Sequence, residues 1–154
     1  MAITNVPGLS AQTSAEAAAV LQARLATYND LSLTLKHIHW NVTGPNFIAV
    51  HEMLDPQVDL VRGYADEAAE RIATLGGEPL GTVAAITAAI AYPLNRGDSQ
   101  AHLVALDKVY SQVIIANRQA IDQLEIDPIS QDLVIGATAE LEKFQWFIRS
   151  HLES

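Results

Sequence analysis

Four side chains on one stretch of the chain have the types and the spacing to hold a metal ion. The stretch covers residues 46–77, reads NFIAVHEMLDPQVDLVRGYADEAAERIATLGG, and carries His51 with Asp55, then Asp66 with Glu70. Each pair is spaced i, i+4, so on a helix its members share one face. At about 100° per residue, all four fall within a stripe about 100° wide. The centres of the two pairs lie 15 residues apart (53 to 68). On a helix that is roughly 22 Å, so one ion cannot touch both pairs of one chain. A second, antiparallel copy related by a two-fold axis near residues 60 and 61 would set His51 and Asp55 against Asp66 and Glu70 of its partner. A two-fold contact is self-complementary and would make two identical sites at once. His39 stands twelve residues before His51, and a short loop could fold it back beside that residue. The half-site is then His39, His51 and Asp55, completed by Asp66 and Glu70 of another chain. Two imidazoles with three carboxylates suit iron better than calcium or magnesium, which prefer all-oxygen shells; ligand type does not exclude zinc.

Helices must position these groups. Thr13 to Glu16 has the Thr-x-x-Glu form of a capping box, and Val20, Leu21, Leu25, Tyr28, Leu31, Leu35 and Ile38 recur at helical spacing. The first helix is expected to end near Asn41, before Gly44-Pro45. Asn46 is the expected N-cap of the second helix and Gly76-Gly77 its stop. Pro56 falls inside that helix, where it removes a backbone hydrogen bond. A kinked but continuous helix is favoured over a break in which Asp55 caps a new one. Residues 82–91, with Val83, Ile86 and Ile90, are expected to form a short helix in the long connection. A third long helix is expected over about 98–124 and a fourth over about 130–151, with Asp127-Pro128 as the turn between them. The expected fold is all-α: a ferritin-like four-helix bundle with a short extra helix between helices two and three. Residues 1–12 are expected to be a flexible tail and 13–154 the single domain.

Composition narrows the function. A 154-residue chain with 49% hydrophobic and 18% charged residues folds around a real core. The formal net charge of −9 gives no general attraction to nucleic acid but favours cations. With no cysteine, thiolate zinc sites and iron–sulfur clusters are excluded. No signal peptide is seen, and the longest uncharged stretch, residues 79–94, is broken by Gly81 and Pro93. No membrane span is expected, and a cytoplasmic location is the default.

The residues His39-Trp40-Asn41, Gly44, Asn46-Phe47, His51-Glu52-Met53-Leu54-Asp55, Asp66, Glu70-Arg71 and Leu75-Gly76-Gly77 closely resemble the Dps family, the mini-ferritins named as DNA-binding proteins from starved cells. Tyr92-Pro93-Leu94, Glu142-Lys143-Phe144 and Trp146-Phe147-Ile148 extend the likeness over nearly the whole chain beyond the tail. The resemblance implies a hollow homo-oligomeric shell of twelve subunits. It implies a ferroxidase centre at each two-fold interface, with His39, His51 and Asp55 from one subunit and Asp66 and Glu70 from the next. It further implies oxidation of Fe(II) to Fe(III), usually by hydrogen peroxide rather than dioxygen, with ferric mineral stored inside and protection from oxidative damage as the result.

Other residues carry two readings each. His51 alone is more often a satisfied core histidine; an apolar interface does not gather three carboxylates by accident, because unpartnered burial is costly. Trp40 either packs or supplies an oxidisable ring near the metal. Lys36 either influences the charge of the site or is a plain surface lysine, and His37 reads as structural. Among Asp122, Glu125, Asp127 and Asp132, the bland reading is helix-end charge. The functional one is an acidic pore where subunits meet, with Asp127 and Asp132 as its residues. DNA binding is where the sequence departs from the family name. Residues 1–15 contain no lysine or arginine, and twelve copies carry about −108 formal charges (12 × −9). DNA binding is therefore not expected.

Overall fold

The computed structural model describes residues 6–86 and 90–153, and these form four long helices. They are α1 (Ala11–Asn41), α2 (Phe47–Thr74), α3 (Ser99–Gln123) and α4 (Pro128–Leu152). Helices α1 and α2 pack as one antiparallel hairpin and α3 and α4 as the other, joined by the long connection after α2. The core threads all four: Leu21, Tyr28, Leu31, Leu35 and Ile38 of α1, Leu54 and Ile72 of α2, Leu106 and Tyr110 of α3, and Leu141 and Ile148 of α4 are buried. No helix of the described residues is long and apolar enough to cross a membrane.

Helix α1 begins earlier than the capping-box reading placed it. Ser10 is extended (φ −74°, ψ 154°) and its hydroxyl accepts from the Thr13 amide at 3.0 Å. Thr13 lies within the first turn, its hydroxyl 2.8 Å from that of Ser10, and Glu16 accepts from Gln12. Serine caps as well as threonine, and three residues of extra helix add backbone bonds. Val6 and Leu9 pack against the core, so the stretch expected as a free tail is partly anchored. Residues 1–5 of that expected tail lie outside the described residues.

Helix α2 runs without interruption through Pro56, whose position is exposed. The ring stands away from the core, and Glu52, whose carbonyl loses its helical donor, is exposed as well, so that carbonyl is open to solvent. Asn46 holds the N-cap position, but its side chain makes no capping bond. The far end closes as a Schellman turn: the Gly77 amide donates to Ile72 O at 2.9 Å and the Gly76 amide to Ala73 O at 3.0 Å. Gly76 takes φ +84°, which a side chain would disfavour.

The connection corrects a second expectation. In place of a helix over 82–91 there is one 3₁₀ turn, Val83–Ala85, while Thr82, Ile86, Ile90 and Ala91 are not helical; 87–89 lie outside the described residues. Val83 is 81% exposed. A ten-residue helix rich in β-branched residues needs a packing face to persist, and this segment lacks one at Val83. It is tied down by other means. The Ile90 amide donates to Asp30, and Leu94 O lies 2.8 Å from His37 Nε2. A two-residue parallel ladder also joins β1 (Val42–Thr43) to β2 (Gly97–Asp98), which the sequence reading did not anticipate. Asp98 then caps α3, accepting from the Ala101 amide at 2.9 Å. Pro128 occupies the first turn of α4, where its missing amide hydrogen costs nothing.

Candidate metal centre

The end of α1 and the start of α2 bring His39, His51 and Asp55 together. The Gly44 turn (φ +100°) reverses the chain between the two helices. His39 and His51 stack with ring centroids 3.5 Å apart and planes 22° from parallel. Each ring is clamped by the other's backbone. His39 Nδ1 lies 2.9 Å from His51 O, and His51 Nδ1 lies 2.9 Å from His39 O. A carbonyl oxygen can only accept, so both Nδ1 atoms must carry hydrogen. That fixes the tautomer and leaves a lone pair on each Nε2, the arrangement typical of metal-ligating histidines. Phe47 tilts against His51 at 5.0 Å and restricts its ring further.

Asp55 stands beside this pair. Its Oδ1 accepts from Lys36 Nζ at 2.7 Å and lies 3.3 Å from His39 Nδ1. The hydrogen bond from Lys36 holds the Asp55 carboxyl below the usual carboxylate range, desolvation opposes it more weakly, and His39 adds to the pull. Asp55 is therefore an anion at neutral pH. Of the two readings of Lys36, the geometry favours the one in which it influences the site.

Asp66 and Glu70 are exposed on α2, and neither carboxylate has an ion pair or side-chain hydrogen bond among the described residues. Asp66 is eleven residues beyond Asp55, about 16 Å along the helix. One chain thus brings three of the five expected ligands together and leaves two apart. Among the described residues, no three His, Asp or Glu side chains converge where a single chain could hold an ion alone. Trp40, next to His39, is 71% exposed.

Asp127 does not fit the pore reading. It is 2% exposed, its Oδ2 accepts from Arg71 Nη2 at 2.9 Å and from the Ser130 hydroxyl, and Arg71 Nε donates to Ser130 at 3.0 Å. Burial alone would push its carboxyl up, but Ser130 and Arg71 outweigh that and hold it below the ordinary value. A carboxylate so enclosed closes the turn between α3 and α4 onto α2; it has no surface to offer a passing ion. Asp132 is exposed on α4.

Two buried ionisable groups escaped the sequence reading. His102 is fully buried, with Nδ1 2.7 Å from the Tyr92 hydroxyl. Arg24 is 9% exposed and bonded to Asn117. Neither has a motif; both sit at core positions of helical periodicity, which was the only available signal.

Residues 18–154 match the family model for the ferritin-like domain. The chain is 60% identical over 153 residues to the DNA protection during starvation protein of Mycolicibacterium smegmatis, covering 97% of this chain and 84% of that relative. It belongs to the Dps family. The tetragonal form of Mycobacterium smegmatis Dps superposes with a TM-score of 0.96 at 59% identity, covering 100% of this chain and 96% of that one. Dps from Vibrio cholerae O1, described as a member of a broad superfamily of ferritin-like diiron-carboxylate proteins, superposes with a TM-score of 0.86 at 25% identity, covering 99% and 98%. The four-helix Dps chain described above therefore has both the fold and the family of these proteins.

Proposed function

We propose that this Dps chain oxidises ferrous iron at a centre shared by two subunits and stores the ferric product inside a closed homo-oligomeric shell, the twelve-subunit shell of its family. The observation that carries the reading is the reciprocal His39–His51 clamp. It presents two fixed imidazole lone pairs beside an ionised carboxylate, and it is incomplete within one chain. Asp66 and Glu70 of a second copy, exposed and unpaired on the same helix, are the groups of the right charge to complete it.

Iron is the substrate here, and this chain's residues bind and orient it. His39 and His51 present Nε2, and the Nδ1–H bonds keep both rings from rotating away. Carboxylates from both chains neutralise the ion's charge and favour the ferric product over the ferrous reactant. Lys36 holds Asp55 in place before the ion arrives. Each ferrous ion gives up one electron. Hydrogen peroxide accepts a pair, its O–O bond breaks, and two protons complete two waters. Removing both reagents at once prevents hydroxyl-radical formation, which protects DNA without contact. The net charge of −9 per chain opposes phosphate, so DNA is not retained in a gel-shift assay at moderate salt.

Complementation tests the sharing. His51→Ala and Asp66→Ala variants, made separately, each lose rapid iron oxidation. Co-expressed in equal amounts, they regain about a quarter of the wild-type rate, because half the two-fold pairs are mixed and each mixed pair has one intact site of two. Full activity in either single variant, or no recovery in the mixture, rejects the proposal.

A further inference from the structure

Tyr92 and His102 form an enclosed acid–base couple that the iron chemistry leaves unused. Tyr92 lies in the connection before α3, and its hydroxyl is 2.7 Å from His102 Nδ1. His102 stands on α3 and is fully buried. The two rings are nearly parallel, with 8° between their planes and centroids 5.9 Å apart. Burial pushes the phenol up and the imidazole down, so both groups are uncharged at neutral pH. A neutral imidazole keeps one nitrogen lone pair. With the ring hydrogen on Nε2, that lone pair is on Nδ1 and accepts the phenol O–H. Backbone groups of Asn95 and Asn41 and the charge of Asp98 favour the protonated ring, while His37 works against it. The imidazole is thus neutral at rest, yet has partners in place when it gains a proton.

Among the described residues no other tyrosine is so placed. Tyr110 donates to the amide oxygen of Gln57, a far weaker base. The hydroxyls of Tyr28 and Tyr64 are bonded to no imidazole or carboxylate. The difference matters for redox chemistry. A phenol resists one-electron oxidation chiefly because the product is a strongly acidic radical cation. A hydrogen-bonded base removes that obstacle by taking the proton as the electron leaves. The couple also adjoins the iron half-site. His37 meets Tyr92 edge-on, with ring centroids 6.0 Å apart and planes at 75°. His37 precedes the ligand His39 by two residues (37 to 39), about 3 Å of helix rise.

We propose that Tyr92 is a redox-active tyrosine, a one-electron donor that quenches oxidising radicals with His102 as its proton acceptor. The phenol loses one electron and its O–H bond breaks, while the proton forms an N–H bond at His102 Nδ1. The oxidant is a radical of the hydroxyl class; it takes the electron and one solvent proton and leaves as water. A ferrous ion then returns an electron and His102 returns the proton, which restores the phenol. The proposal rests on the ferroxidase reading for the source of this oxidant and reductant alone.

The test uses the iron-free, assembled, full-length protein, so its result does not depend on iron oxidation. Azide radicals made by pulse radiolysis are the oxidant, and transient absorption and EPR read the phenoxyl radical. In the wild type the phenoxyl radical forms, and it forms more slowly in heavy water because a proton moves with the electron. Tyr92→Phe keeps the ring and loses most of the phenoxyl yield. His102→Gln keeps the phenol but slows phenoxyl formation roughly a hundredfold, the size of a lost general base, and abolishes the isotope effect. If His102→Gln does not fold, Tyr92→Phe and the wild-type isotope effect decide. An undiminished phenoxyl yield in Tyr92→Phe, or an equal wild-type rate in heavy and ordinary water, overturns the proposal. A protein that passes this test yet fails to oxidise ferrous iron loses the ferroxidase reading and keeps the redox-active tyrosine.

Discussion

Replacing Asp127 with alanine tests whether this residue closes the fold, as its surroundings indicate, or serves passing ions. The carboxylate and the Arg71 guanidinium lie 2.9 Å apart with side chains 3% and 12% exposed. Removing the acid strands a guanidinium that has lost most contact with water and retains only the Ser130 hydroxyl. Breaking a buried pair from one side costs about 3–5 kcal/mol. For a chain of this length each kcal/mol moves Tm by about 2–4 °C, so the expected fall is roughly 6–20 °C. Urea unfolding at fixed protomer concentration measures the free energy directly. Arg71→Leu with Asp127→Leu should cost less than the sum of the single changes, because the double variant strands no charge. The pH dependence gives an independent check. A carboxyl lowered in the folded state adds stability above its unfolded value, about 3.9, and that contribution is lost as pH falls through the lower folded value. The gap between wild type and Asp127→Ala should be constant from pH 7 to about 4 and close below that. A loss under about 1 kcal/mol at pH 7, or strict additivity in the double variant, would refute the reasoning.

Three further outcomes follow from the same geometry. Tyr110→Phe removes the 2.7 Å bond from the phenol to Gln57 Oε1 and should cost about 1–3 kcal/mol in urea unfolding, since the amide stays buried. Pro56→Ala restores a backbone bond in an uninterrupted helix at an exposed position; it should raise stability by about 1–3 kcal/mol, and a fall in Tm would show that the ring maintains a needed bend. Burial lowers the pKa of His102, so the unfolded chain takes up that proton first, near pH 6.5. Stability should be full above that pH and decline below it by up to about 1.4 kcal/mol per pH unit. His102→Gln should flatten the slope between pH 5 and 6.5; an unchanged slope would exonerate the residue.

The sequence by itself determined the features of the four long helices that depend on a helix's own periodicity. The i, i+4 pairs on α2, the buried stripes of α1, α3 and α4, and the Gly76-Gly77 stop all follow from 3.6 residues per turn and from which residues tolerate positive φ. The distance that keeps Asp66 and Glu70 from sharing one ion with His51 of the same chain follows from the rise per residue alone. The tertiary structure decided what depends on a partner distant in the chain. Ser10 displaced Thr13 as the cap because an earlier start was also satisfiable. The expected crossover helix gave way to a tether through Asp30, His37 and the Val42–Gly97 ladder, because residues 60 positions away supplied hydrogen bonds that an unpacked helix could not match. Asp127 read as surface charge until Arg71, 56 positions away, enclosed it. The tautomers of His39 and His51 were likewise invisible, since they are set by carbonyl groups that only the folded loop brings within reach. A charge or a lone pair has a role only where its neighbours are fixed, and for these residues the neighbours come from other helices.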